Sequence, residues 1–446
     1  MKKVVTYGTY DLFHQGHYNL LKRAKELGDY LIVGITSDYF NKCRGKYNVH
    51  DDLMTRIKNV EKCGFADEIV VEEYFGQKID DIKKYGIDIF TVGDDWVGHF
   101  DYLNEYCKVV YLPRTKGISS TQLRNSNSVR IGIVGNEKIL DRLLAEMQFV
   151  SGLEIAGIFV PENNTDEKLY KSQKAKTLDV FQNFSKMLEQ VDAVYLNNPL
   201  HERPKYIKQA IMARRHVLTE FPFCDEFDTA NELLVLAEQQ GVVLMEALKT
   251  AYCPCFGKLV SLAKSGLIGD IISVDARFTQ VLGAELENQM RIAGGAVQSL
   301  AAYPLLAIFK LLGTDYKDIS FYSHIKSNAD ILTRINFVFD KAIASAMVAI
   351  DAKSEGNLVI AGTKGYIYVP APWWKTEFFE VRYEDVNKNN KYFYKFEGEG
   401  LRYELVEFVK SIQEKGNNNL FLTIEEMLAE SRVLDSFLMK KNVTLF

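Results

Sequence analysis

Twice along this chain an apolar strand runs into a glycine turn and then into an amphipathic helix. The first instance is Lys3 to Thr9 leading into His17 to Leu27, and the second is Val129 to Gly135 leading into Ile139 to Met147. A strand that feeds a helix in this way opens an α/β unit, and two openings so far apart imply two sheets. The length of 446 residues points the same way, because a single hydrophobic core stops growing well short of it. Each opening is expected to begin a domain. The polar stretch Arg124-Asn125-Ser126-Asn127-Ser128 between them has no apolar residue and reads as a linker.

In the first unit Tyr30 to Ile35 and Ile89 to Val92 read as strands, and Leu53 to Cys63 and Lys78 to Tyr85 as helices. Such alternation predicts a parallel sheet whose ligands lie at the carboxyl ends of its strands. In the second unit it continues through Val191 to Leu196 and His216 to Thr219 as far as Leu244. Beyond that the texture changes. From Ile271 to Phe396 β-branched and aromatic residues dominate, as expected of a large open sheet. Leu401 to Glu414 and Thr423 to Met439 read as closing helices. The expected fold class is α/β: a Rossmann-like domain at 1–124, a linker at 125–128, a second Rossmann domain at 129–245 and an α+β open-sheet domain at 246–446.

Composition narrows the range of partners. A net charge of −5 with 47% apolar and 25% charged residues is that of an ordinary globular protein without a polybasic surface for nucleic acid or anionic lipid. Met1-Lys2-Lys3 passes straight into a strand, with no apolar signal segment and no long apolar run later, so a cytoplasmic location without membrane insertion is expected. Six cysteines are scattered without a Cys-x-x-Cys pair and read as reduced structural thiols, with no metal site.

Chemistry concentrates in Gly8-Thr9-Tyr10-Asp11-Leu12-Phe13-His14-Gln15-Gly16-His17. Here a strand gives way to a helix, whose first N–H groups and dipole favour an anion. Two imidazoles three positions apart can both face a phosphate there, and Gly16 lets the backbone approach it. In nucleotidyl transfer an ionised phosphate attacks the α-phosphate of a nucleotide, so no general base is needed. What the site needs is fixed cationic and hydrogen-bonding groups around the phosphorus. His14 and His17 supply them.

This His-x-Gly-His segment resembles the signature of the cytidylyltransferase family. Gly93-Asp94-Asp95-Trp96 and Arg114-Thr115-Lys116-Gly117-Ile118-Ser119-Ser120-Thr121 resemble the later motifs of glycerol-3-phosphate cytidylyltransferases, at similar spacing, and the likeness spans residues 2 to about 124. It implies a nucleotidyltransferase that joins CTP to a small polyol phosphate. On this resemblance His14, His17, Lys46 and Arg114 are catalytic, and Gly8, Thr9, Tyr10, Gly16, Arg44, Asp94, Ser119, Ser120 and Thr121 hold the nucleotide. Asp11, Arg56, Asp95 and Trp96 face the acceptor. Plain readings stand beside these: Ser119 to Thr121 as a helix cap, Asp94-Asp95 as a turn, and Arg44 and Lys46 as a solvated loop. The triphosphate implies Mg2+ held mainly by phosphate oxygens. Where the family carries an arginine after the second helix this chain has Gly64, which leaves Arg56 as the main cation of that helix expected to face the site.

Residues 129 to 446 resemble the Gfo/Idh/MocA oxidoreductases, through Ile131-Gly132-Ile133-Val134-Gly135, Val191-Asp192-Ala193-Val194-Tyr195, Pro199-Leu200-His201, His216 to Pro222 and Gly294-Gly295-Ala296. The resemblance implies NAD(P), but the cofactor positions depart from it. Glu137 stands where a second glycine should admit the pyrophosphate, and Leu140 stands where a small residue is expected. Val160 ends the strand where an acidic ribose ligand belongs, although Glu162 is near. The family's Glu-Lys-Pro is Glu220-Phe221-Pro222, and its aspartate is Ser299. Candidate positions of a second site are Gly135, Glu220, Lys249 and Gly295. Lys249, by default a surface lysine, is the residue that could reach the vacant lysine site. Pro370-Ala371-Pro372-Trp373-Trp374-Lys375 reads as packing or as a pocket wall.

Two functions follow. In one, a homodimeric cytidylyltransferase carries a degenerate or atypical oxidoreductase-like half as scaffold or binding module. In the other, that half reduces a keto-sugar phosphate to the acceptor, and fusion raises its effective concentration. A chain with no catalysis fits poorly with an intact His14/His17 site.

Overall fold

The computed structural model describes residues 1–43, 46, 49–74, 76–113, 128–147, 149–160, 178–287, 290, 294–394, 396, 398–414 and 419–446, and the side chains of Cys43, Asp95, Glu137 and Ala284 are outside that description. The chain divides into two compact units, Met1–Ser128 with Gln148–Leu153, and Val129–Met147 with Glu154–Phe446.

The first unit is a parallel sheet of β1 (Lys3–Gly8), β2 (Tyr30–Thr36), β3 (Glu68–Glu72), β4 (Ile89–Gly93) and β5 (Lys108–Leu112) in the order β3-β2-β1-β4-β5. β1 lies at the centre, with Val5 opposite both Ile32 and Phe90. This order places the topological switch at β1 and β4, where a crevice opens at the strand ends. Helices α1 (Gln15–Lys25), α2 (Asp38–Cys43), α3 (Leu53–Lys62) and α4 (Gln77–Tyr85) connect the strands. Val4, Leu21, Ala24, Leu31, Val33, Ile35, Val60 and Ile89 form one buried cluster, and Val5, Tyr7, Ile32, Ile82, Phe90 and Leu103 another. α3 starts on Asp52, whose carboxylate caps Thr55 N–H. After α3, Gly64 takes the left-handed φ of 72°, which an L side chain enters only with strain. A glycine rather than an arginine thus matches the way this helix ends.

In the second unit β6 (Val129–Val134), β7 (Leu153–Phe159), β8 (Asp179–Phe181), β9 (Ala193–Leu196), β10 (His216–Thr219) and β11 (Leu244–Glu246) form a sheet of parallel pairs ordered β11-β10-β9-β6-β7-β8. The expected open sheet follows. Its nine strands are β12 (Ile271–Thr279), β13 (Asp318–Lys326), β14 (Ala329–Val338), β15 (Ile343–Ala349), β16 (Leu358–Gly362), β17 (Tyr366–Val369), β18 (Phe378–Arg382), β19 (Asn390–Phe393) and β20 (Val443–Leu445). They are mostly antiparallel, with β12 parallel to β15 and β13 parallel to β20. Helices Leu401–Gln413 and Ile424–Leu438 lie close to where they were expected. Thr423 caps the latter in a reciprocal capping box with Glu426.

Two buried carboxyl groups meet in this unit. Glu246 at the end of β11 is 1% exposed and Glu430, on helix Ile424–Leu438, is 2% exposed. Glu246 accepts from Phe223 N–H at 2.7 Å, while its other carboxyl oxygen and both oxygens of Glu430 have no hydrogen-bond partner. Burial pushes Glu246 up to about 7. Burial and the facing Glu246 likewise raise Glu430 well above the usual carboxylate range. Among the described residues no helix is long and apolar enough to cross a membrane.

Candidate functional site

The first site is built on the turn after β1. Gly8 is needed there because a Cβ would stand 2.9 Å from the Tyr10 ring. Tyr10 and Leu12 then take left-handed backbone, at φ 54° and 47°, which side-chain-bearing residues adopt at a cost of ~1–3 kcal/mol each. The bend returns the chain to the sheet and starts α1 at the carboxyl end of β1. His14 is the N-cap of α1, and its Nδ1 accepts from Gly16 N–H at 3.0 Å. In a neutral imidazole that places the proton on Nε2. The rings of His14 and His17 stack at 3.9 Å and 18°, and Tyr10 and Phe13 pack against His17 at 5.4 and 5.6 Å.

Other expected residues gather round this turn. The Lys46 ammonium donates to Thr9 Oγ1 at 3.1 Å, and Thr9 Oγ1 in turn donates to Asn41. Asp94 opens a short 3-10 turn, Asp94–Trp96, at the end of β4, the strand beside β1. Trp96 is 39% exposed and packs against His99 and Phe100. Asp11 is buried and accepts from Asp51 N–H, while Asp51 accepts from Leu12 N–H. Arg44, Arg114, Ser119, Ser120 and Thr121 lie outside the described residues, as does the Asp95 side chain.

Arg56 departs from expectation. Its side chain is wholly buried, and its guanidinium donates to the carbonyls of Asp51, Thr9 and Thr36 and pairs with Asp38. It is not an open cation facing an acceptor, because its donors are spent on backbone oxygens that would otherwise be orphaned. Instead it clamps the turn after β1 to the end of β2. Sequence reasoning missed Lys78, in the first turn of α4. Its ammonium pairs with the buried Glu72 and lies 4.7 Å from the Tyr7 ring centre and 5.7 Å from that of Phe100. Nothing in the sequence but its place near a helix start marks it.

In the second unit Gly135 has a packing reason: a Cβ there would meet Ile139 at 2.6 Å. Asn136 caps the helix Glu137–Met147 by accepting from Ile139 N–H at 3.1 Å, so the first-turn donor expected to meet a pyrophosphate is already engaged. Val160 is fully buried. Phe221 packs edge-on against Tyr303 at 5.0 Å. At the positions where the resemblance implies a glycine, an acidic ribose ligand and a lysine, the chain has Glu137, Val160 and Phe221. Glu162, a possible ribose ligand, lies outside the described residues. Gly295 lies against Asp330, whose carboxylate accepts from Val297 N–H at 2.9 Å. A Cβ at Gly295 would stand 1.9 Å from that carboxylate. Ser299 donates to Gly294 O.

Lys249 is not a surface lysine. It is half-buried, and its stem lies over Gly400, where a Cβ would come within 3.4 Å of it. Burial lowers its ammonium below the usual lysine range, and Glu404 opposes that fall. Glu404 is 1% exposed, with neither carboxylate oxygen hydrogen-bonded. Burial, with Glu220 nearby, raises it well above the usual carboxylate range. Glu220 accepts from Tyr195 Oη at 2.6 Å, and Arg203 donates to the carbonyls of Glu220, Pro222 and Asn198. Arg142 reaches the same group from helix Glu137–Met147, paired with Glu399 at 2.5 Å. Of the tryptophan pair, Trp373 is buried and donates to Arg277 O. Trp374 stacks on Phe278 at 3.8 Å, and Phe278 touches Tyr303 at 5.0 Å.

Comparison with known proteins follows this division. Residues 5–126 match the family model described as cytidylyltransferase-like, and residues 129–248 match the oxidoreductase family with an NAD-binding Rossmann fold. A glycerol-3-phosphate cytidylyltransferase of Bacillus spizizenii is 54% identical over 124 residues, covering 28% of this chain and 95% of that protein. One from Staphylococcus aureus is 46% identical, over 28% of this chain and 93% of its own length. A 3-ketoreductase of Actinomadura kijaniata, solved with NADP and TDP-benzene, superposes with a TM-score of 0.64 at 18% identity, covering 72% of this chain and all of its own. That likeness speaks for the fold of the second unit alone. The chain thus belongs to the cytidylyltransferase-like family of nucleotidyltransferases, and it carries that enzyme domain ahead of an oxidoreductase-family Rossmann segment.

Proposed function

We propose that residues 1–124 transfer CMP from CTP to the phosphate of a small polyol phosphate of the glycerol phosphate kind, releasing pyrophosphate. We further propose that residues 129–245 and 246–446, beyond a linker at 125–128, form a half that does not run conventional hydride transfer. The observation that carries the first part is the stacked His14/His17 pair at the helix start beside β1, with Lys46 at Thr9. Close identity to the glycerol-3-phosphate cytidylyltransferases supports it.

An oxygen of the acceptor phosphate attacks the α-phosphorus of CTP. A new P–O bond forms, the bridge to the β-phosphate breaks, and pyrophosphate leaves with the electron pair. No proton has to move. The chain's task is to hold the two anions in line and spread the charge that grows on the α-phosphoryl oxygens. His14 donates through Nε2, His17 stands beside it, and Lys46 brings a positive charge. Arg56 acts through the backbone, fixing the turn that aims both imidazoles. The resemblance assigns Gly8, Gly16 and Asp94 to the nucleotide and Trp96 to the acceptor. CTP enters as its magnesium complex, with the metal on phosphate oxygens. A cytoplasmic location suits these substrates.

For the second half, the support is the poor fit of Asn136, Val160 and Phe221 to the dinucleotide. The test of the whole reading is pyrophosphate release from CTP or ATP across a panel of polyol and sugar phosphates. CTP with a polyol phosphate is expected to be strongly preferred, because a buried polar pocket discriminates the cytosine edge. Equal rates with ATP, or no release with any polyol phosphate, refute it.

A further inference from the structure

Between β2 and Lys46 the chain buries an asparagine to which the transfer reaction described above gives no part. Asn41, on α2, is 1% exposed. Its Nδ2 donates to Thr36 O at 3.3 Å, and because a carbonyl oxygen can only accept, that contact fixes which end of the amide faces which way. Oδ1 is thereby turned to Thr9 and accepts from its hydroxyl at 3.1 Å. With its proton committed to Asn41, Thr9 Oγ1 presents lone pairs to the Lys46 ammonium, which donates to it at 3.1 Å. The same asparagine holds the other end of this lysine, since Asn41 O accepts from Lys46 N–H at 2.8 Å. α2 is itself fixed to its first residues: Ser37 Oγ accepts from Phe40 N–H at 3.0 Å, and Ser37 O accepts from Asn41 N–H at 2.8 Å.

We propose that Asn41 is a positioning residue for nucleotidyl transfer, aiming the Lys46 ammonium, through Thr9, at the α-phosphate of CTP. The inference rests on the transferase reading above. Lys46 is exposed, and a long flexible side chain takes one direction only where bonds impose it. An ammonium has three N–H groups, so fixing one of them on Thr9 confines the other two to a cone. Without Oδ1 the Thr9 hydroxyl loses the acceptor that keeps its proton turned away from the ammonium. A plain supporting role for the amide is the weaker account. Thr36 O also accepts from Arg56 at 2.8 Å, so the end of β2 keeps a donor when the amide is removed, and what goes is the orientation of Thr9. A charge aimed at the α-phosphate acts more on the negative charge that grows during transfer than on bound CTP, so misdirecting it lowers kcat before it raises KM.

Steady-state pyrophosphate release by the full-length protein, from CTP with sn-glycerol 3-phosphate or D-ribitol 5-phosphate, tests it. Asn41→Ala should lower kcat by about tenfold to a hundredfold, the range for a misplaced catalytic group, while KM for CTP moves by less than about threefold. The decisive arm is a double-mutant cycle: in a Lys46→Ala background, Asn41→Ala should cost less than about twofold, because the group it aims is gone. An asparagine that merely supports the fold lowers the rate by the same factor in both backgrounds. Thr9→Val should reproduce the kcat loss, and Thr9→Ser, which keeps Oγ, should stay within about threefold of wild type. This pair decides even if Asn41→Ala fails to fold. Equal losses in the two backgrounds, a loss confined to KM, or Thr9→Val at the wild-type rate overturns this inference and leaves the transferase reading standing. No pyrophosphate release by the wild-type chain with either acceptor overturns both.

Discussion

The burial of Glu246, facing Glu430, makes the stability of the second unit depend on pH, and the size of the effect can be worked out. The folded state raises Glu246 from its ordinary 4.5 to about 7, so folding favours its protonated form. At about 1.4 kcal/mol for each tenfold, the rise is worth about 3 kcal/mol. This contribution is fully present below pH 4.5, declines as the pH climbs through about 7, and is gone above it. Other groups titrate in the same unit: Asp330 is raised to about 6 by burial, and burial lowers His216, which acts in the opposite direction. Lys310, Glu426 and Arg203 also surround the pair. The informative comparison is therefore with Glu246→Gln, which keeps the shape and removes this titration at every pH. Urea unfolding would be followed by tryptophan fluorescence in a Trp96→Phe background, where Trp373 and Trp374 report on the second unit. Between pH 5 and pH 8 the parent should lose about 2.5 kcal/mol more than the variant. Parallel losses would show that burial does not hold a proton on Glu246 and refute the reasoning.

His17→Ala should lower CMP transfer by ~10²–10³ at normal stability, as expected for removal of one donor to the transition state; turnover within tenfold of the parent contradicts the assignment. Arg56→Ala should destabilise the first unit by about 3 kcal/mol, because three buried carbonyls and Asp38 lose their partner. Chemical denaturation measures this, and a loss below about 1 kcal/mol means the clamp is dispensable. Calorimetric titration of the full chain with NAD, NADH, NADP and NADPH, with CTP present to block the first site, should give no micromolar binding. The missing polar contacts cost ~1–3 kcal/mol each. Micromolar affinity that disappears in Lys249→Ala favours the bifunctional alternative.

What was legible in the sequence was local. The strand, glycine turn and helix at Lys3 to Leu27 and at Val129 to Met147 write their periods directly into the chain, and the His14/His17 spacing travels with them. The density of β-branched and aromatic residues announced the nine-stranded sheet, and Thr423 and Glu426 mark a helix start. What escaped was set by contacts between distant segments. Glu404 sits in an amphipathic run that looks solvated, and its burial comes from the helix Lys249–Tyr252 packed upon it. Arg56 reads as a free cation until the carbonyls of Thr9 and Thr36 are seen to converge on it. Lys249 looked exposed for the same reason. The pairing of β20 with β13 joins residues more than a hundred positions apart, and no local pattern encodes it.

The left-handed backbone at Tyr10 and Leu12 bears on how this protein can change. Glycine enters that conformation freely, so random substitution coupled to selection for heat resistance alone is drawn toward replacing Leu12 or Tyr10 and relaxing the bend. The same bend orients His14 and His17, and a looser turn spreads them over more directions. Survivors of such a screen would withstand heat better while transferring more slowly.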